Sequence, residues 1–266
     1  RRCANVLRRE ITMTQLTNNQ LRSGALGFGL LFVGIAIWTI LVFGYLVAMA
    51  VATKSYDLYF YGRTTIPEAF TAWQGTLDIM GKFGLMFIFV GLVALLSASE
   101  TRRWRAVSRL ALILFASPII LGGMTNMASP MEWFYYREES LAAIGHWTLF
   151  GVLACWMISV GMLLWLAEDS GTLLKEPSVV DSVREADWPY GTLVAFFIFT
   201  AISQIVVLAD PLFAIWVLCA VTLLPVAGLL FLYRLLRMTW KAFIAYVRAA
   251  RREKILCAEG SAVEES

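Results

Sequence analysis

Apolar residues run along this chain in blocks far longer than a water-soluble core needs. Six blocks stand out, at 25–52, 78–98, 107–128, 141–167, 189–209 and 212–236, with charges confined to their ends. A bilayer core of about 30 Å takes roughly 20 apolar residues as helix, and backbone groups left unpaired in hydrocarbon are costly. The pattern predicts six transmembrane helices. The alternating ten-residue strands of an outer-membrane barrel are absent from it. The expected fold is an all-α, polytopic integral membrane helix bundle.

Between the blocks the pattern changes. Residues 53–77 and 129–140 are dense in aromatics, among them Tyr56, Tyr59, Trp73, Trp133 and Tyr136, as in an interfacial belt. Residues 168–188 read as a polar connection, with Gly171 and Pro177 as its breakers. Asp210-Pro211 predicts a tight turn into the last helix, because proline suits a first helical position. Pro118 and Pro225 interrupt two of the blocks and predict kinks. Gly24, Gly27, Gly29 and Gly34 thin the first helix and predict close backbone packing, against this chain or another.

The basic residues set the orientation. Of 22 Lys and Arg, 18 fall on one side of the six blocks and only Lys54, Arg63, Lys82 and Arg137 on the other. The positive-inside rule then puts both termini in the cytoplasm, with the chain in a plasma (inner) membrane. The organisation expected is a basic cytoplasmic segment over 1–23, a six-helix membrane domain over 24–236, and a basic tail over 237–266. In that tail Trp240, Phe243, Ile244 and Val247 recur at helical spacing, which predicts an amphipathic helix on the inner leaflet.

Composition agrees with the pattern. Of 266 residues, 59% are hydrophobic and 15% charged, and the mean hydropathy is +0.71. Ordinary soluble domains carry about 25% charge, so a soluble enzyme and a disordered chain are excluded. The net charge of +3 is small, and the basic residues are those topology demands, so nucleic acid is not an expected partner. Cys3, Cys155, Cys219 and Cys257 share no CxxC or metal spacing, which argues against a disulfide framework.

Candidate chemistry is sparse. His146 is the single histidine, one turn inside the fourth block, and bis-histidine haem sites need two. Glu132 and Glu139 precede it; Asp78 and Lys82, four apart, suit a pair along one helix face. An imidazole near carboxylates has the chemistry for proton transfer or metal ligation, although no metal site is predicted. Near midplane the polar candidates are Ser117, Thr200, Ser203 and Gln204. There is no GxSxG, HExxH, P-loop or aspartate-rich prenyl-diphosphate motif.

These features favour a membrane subunit without a catalytic site of its own, anchoring or scaffolding a larger complex. Such a complex would be respiratory in the form that includes a quinone or lipid pocket; no other cofactor is expected. The alternatives are a small-solute transporter working as an oligomer, and an enzyme with an outward site around His146. Expected partners are membrane lipids with other membrane subunits or further copies of the chain.

Overall fold

In the computed structural model the backbone is described over 16–59, 68–99, 101–124, 139–205 and 210–264. Side chains are described over 16–44, 79–99, 101–120, 151–200 and 223–255, and at 76 and 202. Six helices make up these residues: α1 (Asn18–Tyr59), α2 (Glu68–Leu95), α3 (Arg102–Met124), α4 (Glu139–Leu173), α5 (Pro177–Ile205) and α6 (Asp210–Glu264). Three stretches are long and apolar enough to cross a membrane: Asn18–Gly44, Gly151–Leu173 and Leu223–Ile255. A shorter apolar stretch runs over Ile79–Leu95. The expected blocks at 107–128 and 189–209 are helical as far as Met124 and Ile205 but do not reach that threshold among the described residues, because the described part of α3 carries four arginines and α5 opens on a polar first half.

The helix starts follow local chemistry. Thr17 and Gln20 form a reciprocal capping box: Gln20 N–H donates to Thr17 Oγ1 at 3.4 Å and Thr17 N–H to Gln20 Oε1 at 2.7 Å. Thr101 caps α3, accepting from Trp104 N–H at 3.3 Å. The buried Trp104 indole donates to Leu95 O at 2.8 Å, so one side chain closes α2 and anchors α3.

The polar stretch 168–188, read as a connection, is almost wholly helical. α4 runs on to Leu173 and α5 begins at Pro177. Between them Lys175 adopts φ 54°; Glu176 N–H donates to Gly171 O at 2.9 Å and Lys175 N–H to Thr172 O at 3.3 Å. That pair of bonds is a Schellman motif with lysine at the left-handed position that glycine usually fills. Pro177 does open a helix, as expected. Gly171 breaks nothing: it sits inside α4, where a Cβ would lie 2.9 Å from Val180 Cγ2, and lets α5 fold back closely.

α6 also departs from the two-part reading. It is one helix of 55 residues through position 236, roughly 80 Å at 1.5 Å per residue. Its buried stripe is Phe231, Leu235, Met238, Thr239, Ala242, Ala245 and Tyr246. This stripe packs within the bundle, and Trp240, expected to lead a membrane-facing stripe, meets Phe32 of α1 in a tilted ring pair at 5.1 Å while staying 44% exposed. The glycines of α1 explain the difference: Gly29 and Gly24 make room for Phe243 and Tyr246, so this face of α6 meets α1. The helices likewise continue past Pro118 and Pro225. Pro118 strips Leu114 O of its usual donor, and the Ser117 hydroxyl approaches that oxygen at 3.4 Å.

Chain neighbours are spatial neighbours: α1 packs on α2, α3 on α4, α4 on α5, α5 on α6, and α6 returns to α1. The α1–α2 pairing is the most extensive, and the α2–α3 contact is slight. α1 and α6 are antiparallel, because Gly24 and Phe28 meet Tyr246 while Phe32 meets Trp240. Among the described side chains, the buried core joins parts of all six helices. It draws on the start of α1, the end of α2, the start of α3, the end of α4, the start of α5 and the second half of α6.

Candidate functional site

The residues nominated from sequence lie mostly outside the described side chains. Glu132 falls outside the described residues altogether, and the side chains of Asp78, Glu139, His146 and Gln204 are likewise undescribed. Their backbones place them. α4 begins at Glu139, so Glu139 and His146 stand two turns apart on one helix face. Asp78 and Lys82 are one turn apart on α2, and Lys82 is exposed. Of the polar residues expected near midplane, Thr200 donates its Oγ1–H to Phe196 O at 2.8 Å within α5. Among the described residues no group of histidine, cysteine, aspartate or glutamate is arranged to hold a metal. Cys155 is a free, half-buried thiol.

Among the described side chains, polar contacts cluster where α3, α4, α5 and α6 meet at the basic pole. On the α4–α6 side, Ser170 Oγ donates to Leu166 O at 2.7 Å and lies 3.2 Å from Tyr246 Oη. With its proton engaged, Ser170 accepts from the tyrosine. Tyr246 is fully buried, stacks on Phe28 at 5.7 Å, and lies beneath Gly24, whose Cβ would sit 2.3 Å from its ring. Only glycine fits at that position.

On the α5–α6 side, Glu185 is gripped by two guanidinium groups. Arg234 and Arg237 both donate to Glu185 Oε2, the second at 2.8 Å. Lys241 Nζ donates to Ser178 O at 3.0 Å, and Arg252 pairs with Glu176 at 3.6 Å. α6 thus presents a file of cations to the polar first half of α5. Spacing makes this arrangement: 234, 237 and 241 recur every three or four residues along one helix face. Asp187, nearby on α5, has its carboxyl held above the ordinary range, first by partial burial and second by the charge of Glu168.

On the α3–α4–α5 side, Arg103 stacks over the Trp165 ring at 4.8 Å, within cation–π range. Farther along α4, Tyr190 Oη donates to Met157 O at 2.8 Å and fills the space over Gly161. Between them lies an open groove of about 380 Å³, continued by Val107, Ile158 and Met162. Deeper in the same seam, Ser159 donates to Ala111 O at 2.9 Å and the Trp156 indole to Phe115 O at 3.3 Å.

None of these pole residues was nominated from sequence as a site. Glu185 lay in an apparent loop, where its helical register with Arg234 and Arg237 is invisible. Arg103 was counted only as a topology signal. Geometry therefore describes an α-helical bundle, compatible with a membrane-embedded protein, whose described polar contacts gather at one cationic end. No protein-family model, curated protein or solved structure matches the chain.

Proposed function

We propose that the chain is an integral membrane subunit that anchors or scaffolds a larger membrane complex. In this reading it has six spans, with both termini and the basic pole in the cytoplasm, in a plasma (inner) membrane. The observation that carries it is where the buried polar side chains are directed. Ser108, Ser170, Ser182 and Thr239 bond carbonyls of their own helices, Ser159 bonds one on α3, and Gln20 and Ser99 serve helix starts. These hydroxyls and amides are engaged by backbone groups and helix starts rather than presented to a solute, and Ser159 and Ser170 also link neighbouring helices, which suits a scaffold. Meanwhile Leu26, Val33, Ile40 and Phe43 of α1, with Phe83, Met86 and Val93 of α2, present apolar side chains outward, toward lipid or a neighbouring subunit.

Affinity purification in a mild detergent tests the proposal. Stoichiometric partner subunits are expected. A stable dimer of this chain alone would overturn it in favour of an oligomeric small-solute transporter. In that event Gln204→Ala and His146→Ala, assayed for uptake and for turnover, would separate transport from an enzyme built around His146.

A further inference from the structure

We propose that the groove between α3, α4 and α5 is a binding site for one anionic phospholipid, its phosphate at Arg103 and an acyl chain along α4. The inference rests on the chain being membrane-embedded, and not on which complex it serves.

The groove is polar at one end and apolar at the other. Arg103 sits in the first turn of α3, at the basic pole, with its guanidinium carbon 4.8 Å from the centroid of the Trp165 ring. Among the described residues it forms no ion pair within 4.0 Å. Asp169, one turn beyond Trp165, is within electrostatic reach of it but makes no such contact. A stacked guanidinium keeps its in-plane N–H donors free, the geometry that suits a phosphate. From there the groove runs toward the middle of the bundle, along Met162, Gly161 and Ile158 on α4 with Val107 on its α3 wall. The space over Gly161 is taken by the Tyr190 hydroxyl, which closes this end of the groove, and Ile158 is 49% exposed.

Two features select the ligand. The Tyr190 hydroxyl is already donated to Met157 O, which leaves the Arg103 guanidinium as the strongest donor in the lining, beside the Trp165 indole. The available group is a cation, which selects an anion. The apolar lining and the wide opening then select a lipid anion over a free one, with the headgroup at the depth where basic residues meet anionic leaflets.

The full chain, purified in detergent and stripped of lipid, is titrated with phosphatidylglycerol or phosphatidylcholine of equal chain length and read by native mass spectrometry. One phosphatidylglycerol is expected to remain bound in preference to phosphatidylcholine. Arg103→Gln should reduce that preference about tenfold, the usual scale for losing one charged hydrogen bond. Asp169→Asn, which removes the opposing charge, should increase it. Arg251→Gln, exposed on α6 away from the groove, should leave it unchanged. Excess inorganic phosphate should not displace the lipid; displacement would show a free-anion site and overturn the proposal. A folded Arg103→Gln protein with its preference intact would also overturn it, as would an equal loss in Arg251→Gln. A chain that stays soluble without detergent overturns the membrane reading itself, which separates that failure from loss of headgroup preference alone.

Discussion

Between α1 and α2 the closest contacts involve residues with no side chain. Gly27 faces Gly91 and Gly34 faces Gly84, each pair seven residues along from the other, so two antiparallel backbones touch at a heptad interval. A Cβ on Gly34 would lie 2.8 Å from Gly84 O, and one on Gly91 would lie 2.9 Å from Gly27 O. The seams among α4, α5 and α6 are built the other way, from long side chains: Tyr246 to Ser170, two arginines to Glu185, Lys241 to a helix-end carbonyl. The first kind of seam has no slack, because a carbonyl oxygen cannot rotate aside. The second has spare rotamers and solvent near it, so single losses there should be absorbed more readily.

The largest expected effect therefore falls on glycine. Gly34→Leu forces a branched side chain into backbone and should cost more than about 3 kcal/mol, beyond ordinary overpacking. Thermal unfolding in detergent measures it. Gly228→Leu and Gly191→Leu give the contrast, since a Cβ at either position meets nothing within 4 Å. Both should be neutral or slightly stabilising, as leucine favours helix more than glycine does. Equal losses at Gly34 and Gly228 would mean that helix propensity and not backbone contact governs the seam.

Next comes the one aromatic that joins α1, α4 and α6. Tyr246→Ala should lose about 3–5 kcal/mol, the range for emptying a buried aromatic site. Tyr246→Phe should lose about 1 kcal/mol, the worth of a single hydrogen bond to Ser170. If Tyr246→Phe were as damaging as Tyr246→Ala, the hydroxyl and not the ring would be what binds these helices together.

Sequence revealed the two regions unequally. Apolar blocks exposed the helices but not their lengths, since α1, α4, α5 and α6 run well past the blocks into polar sequence, and the glycines of α1 correctly announced close packing. Their partners were legible too, since Gly84 and Gly91 repeat the seven-residue spacing of Gly27 and Gly34, but matching them requires knowing that α1 and α2 are paired. The polar seam was harder to read. The stretch 168–188 looks like a loop because its charges mask a helical register, and a lysine at the left-handed position hides the turn that glycine would have signalled. Burial on α6 went to alanines and Tyr246, where hydrophobicity alone pointed to Trp240 and Phe243. The nominated residues around His146 lie where side chains are undescribed, so sequence and structure speak of different ends of the molecule.

In the polar seam, Glu185→Gln should cost about 0.5–1 kcal/mol, the scale of partly exposed ion pairs, and the difference from the parent should shrink in high salt. A loss like that of Gly34→Leu would erase the contrast between the seams. Lys175→Gly tests the turn that brings α4 and α5 together. It relieves a left-handed lysine, a conformation that costs roughly 1 kcal/mol, and should raise stability by up to about that amount. A clear loss would imply that the lysine side chain itself holds the turn.

The smallest effect belongs to Asp187, beside the ion cluster. Its folded carboxyl binds a proton more tightly than it does in the unfolded chain, through partial burial first and the charge of Glu168 second. Stability from this group is therefore present in full below the unfolded value of 3.8 and declines as pH rises through the raised folded value. At neutral pH the ionised group slightly destabilises the fold, so Asp187→Asn should stabilise by a few tenths of a kcal/mol, as is usual for surface changes. Unfolding midpoints of parent and variant should converge as pH falls toward 4. A variant less stable than the parent at neutral pH, with that gap closing in acid, would show instead that the carboxylate is a favourable partner of the α6 cations, and the polar seam would then reach Asp187.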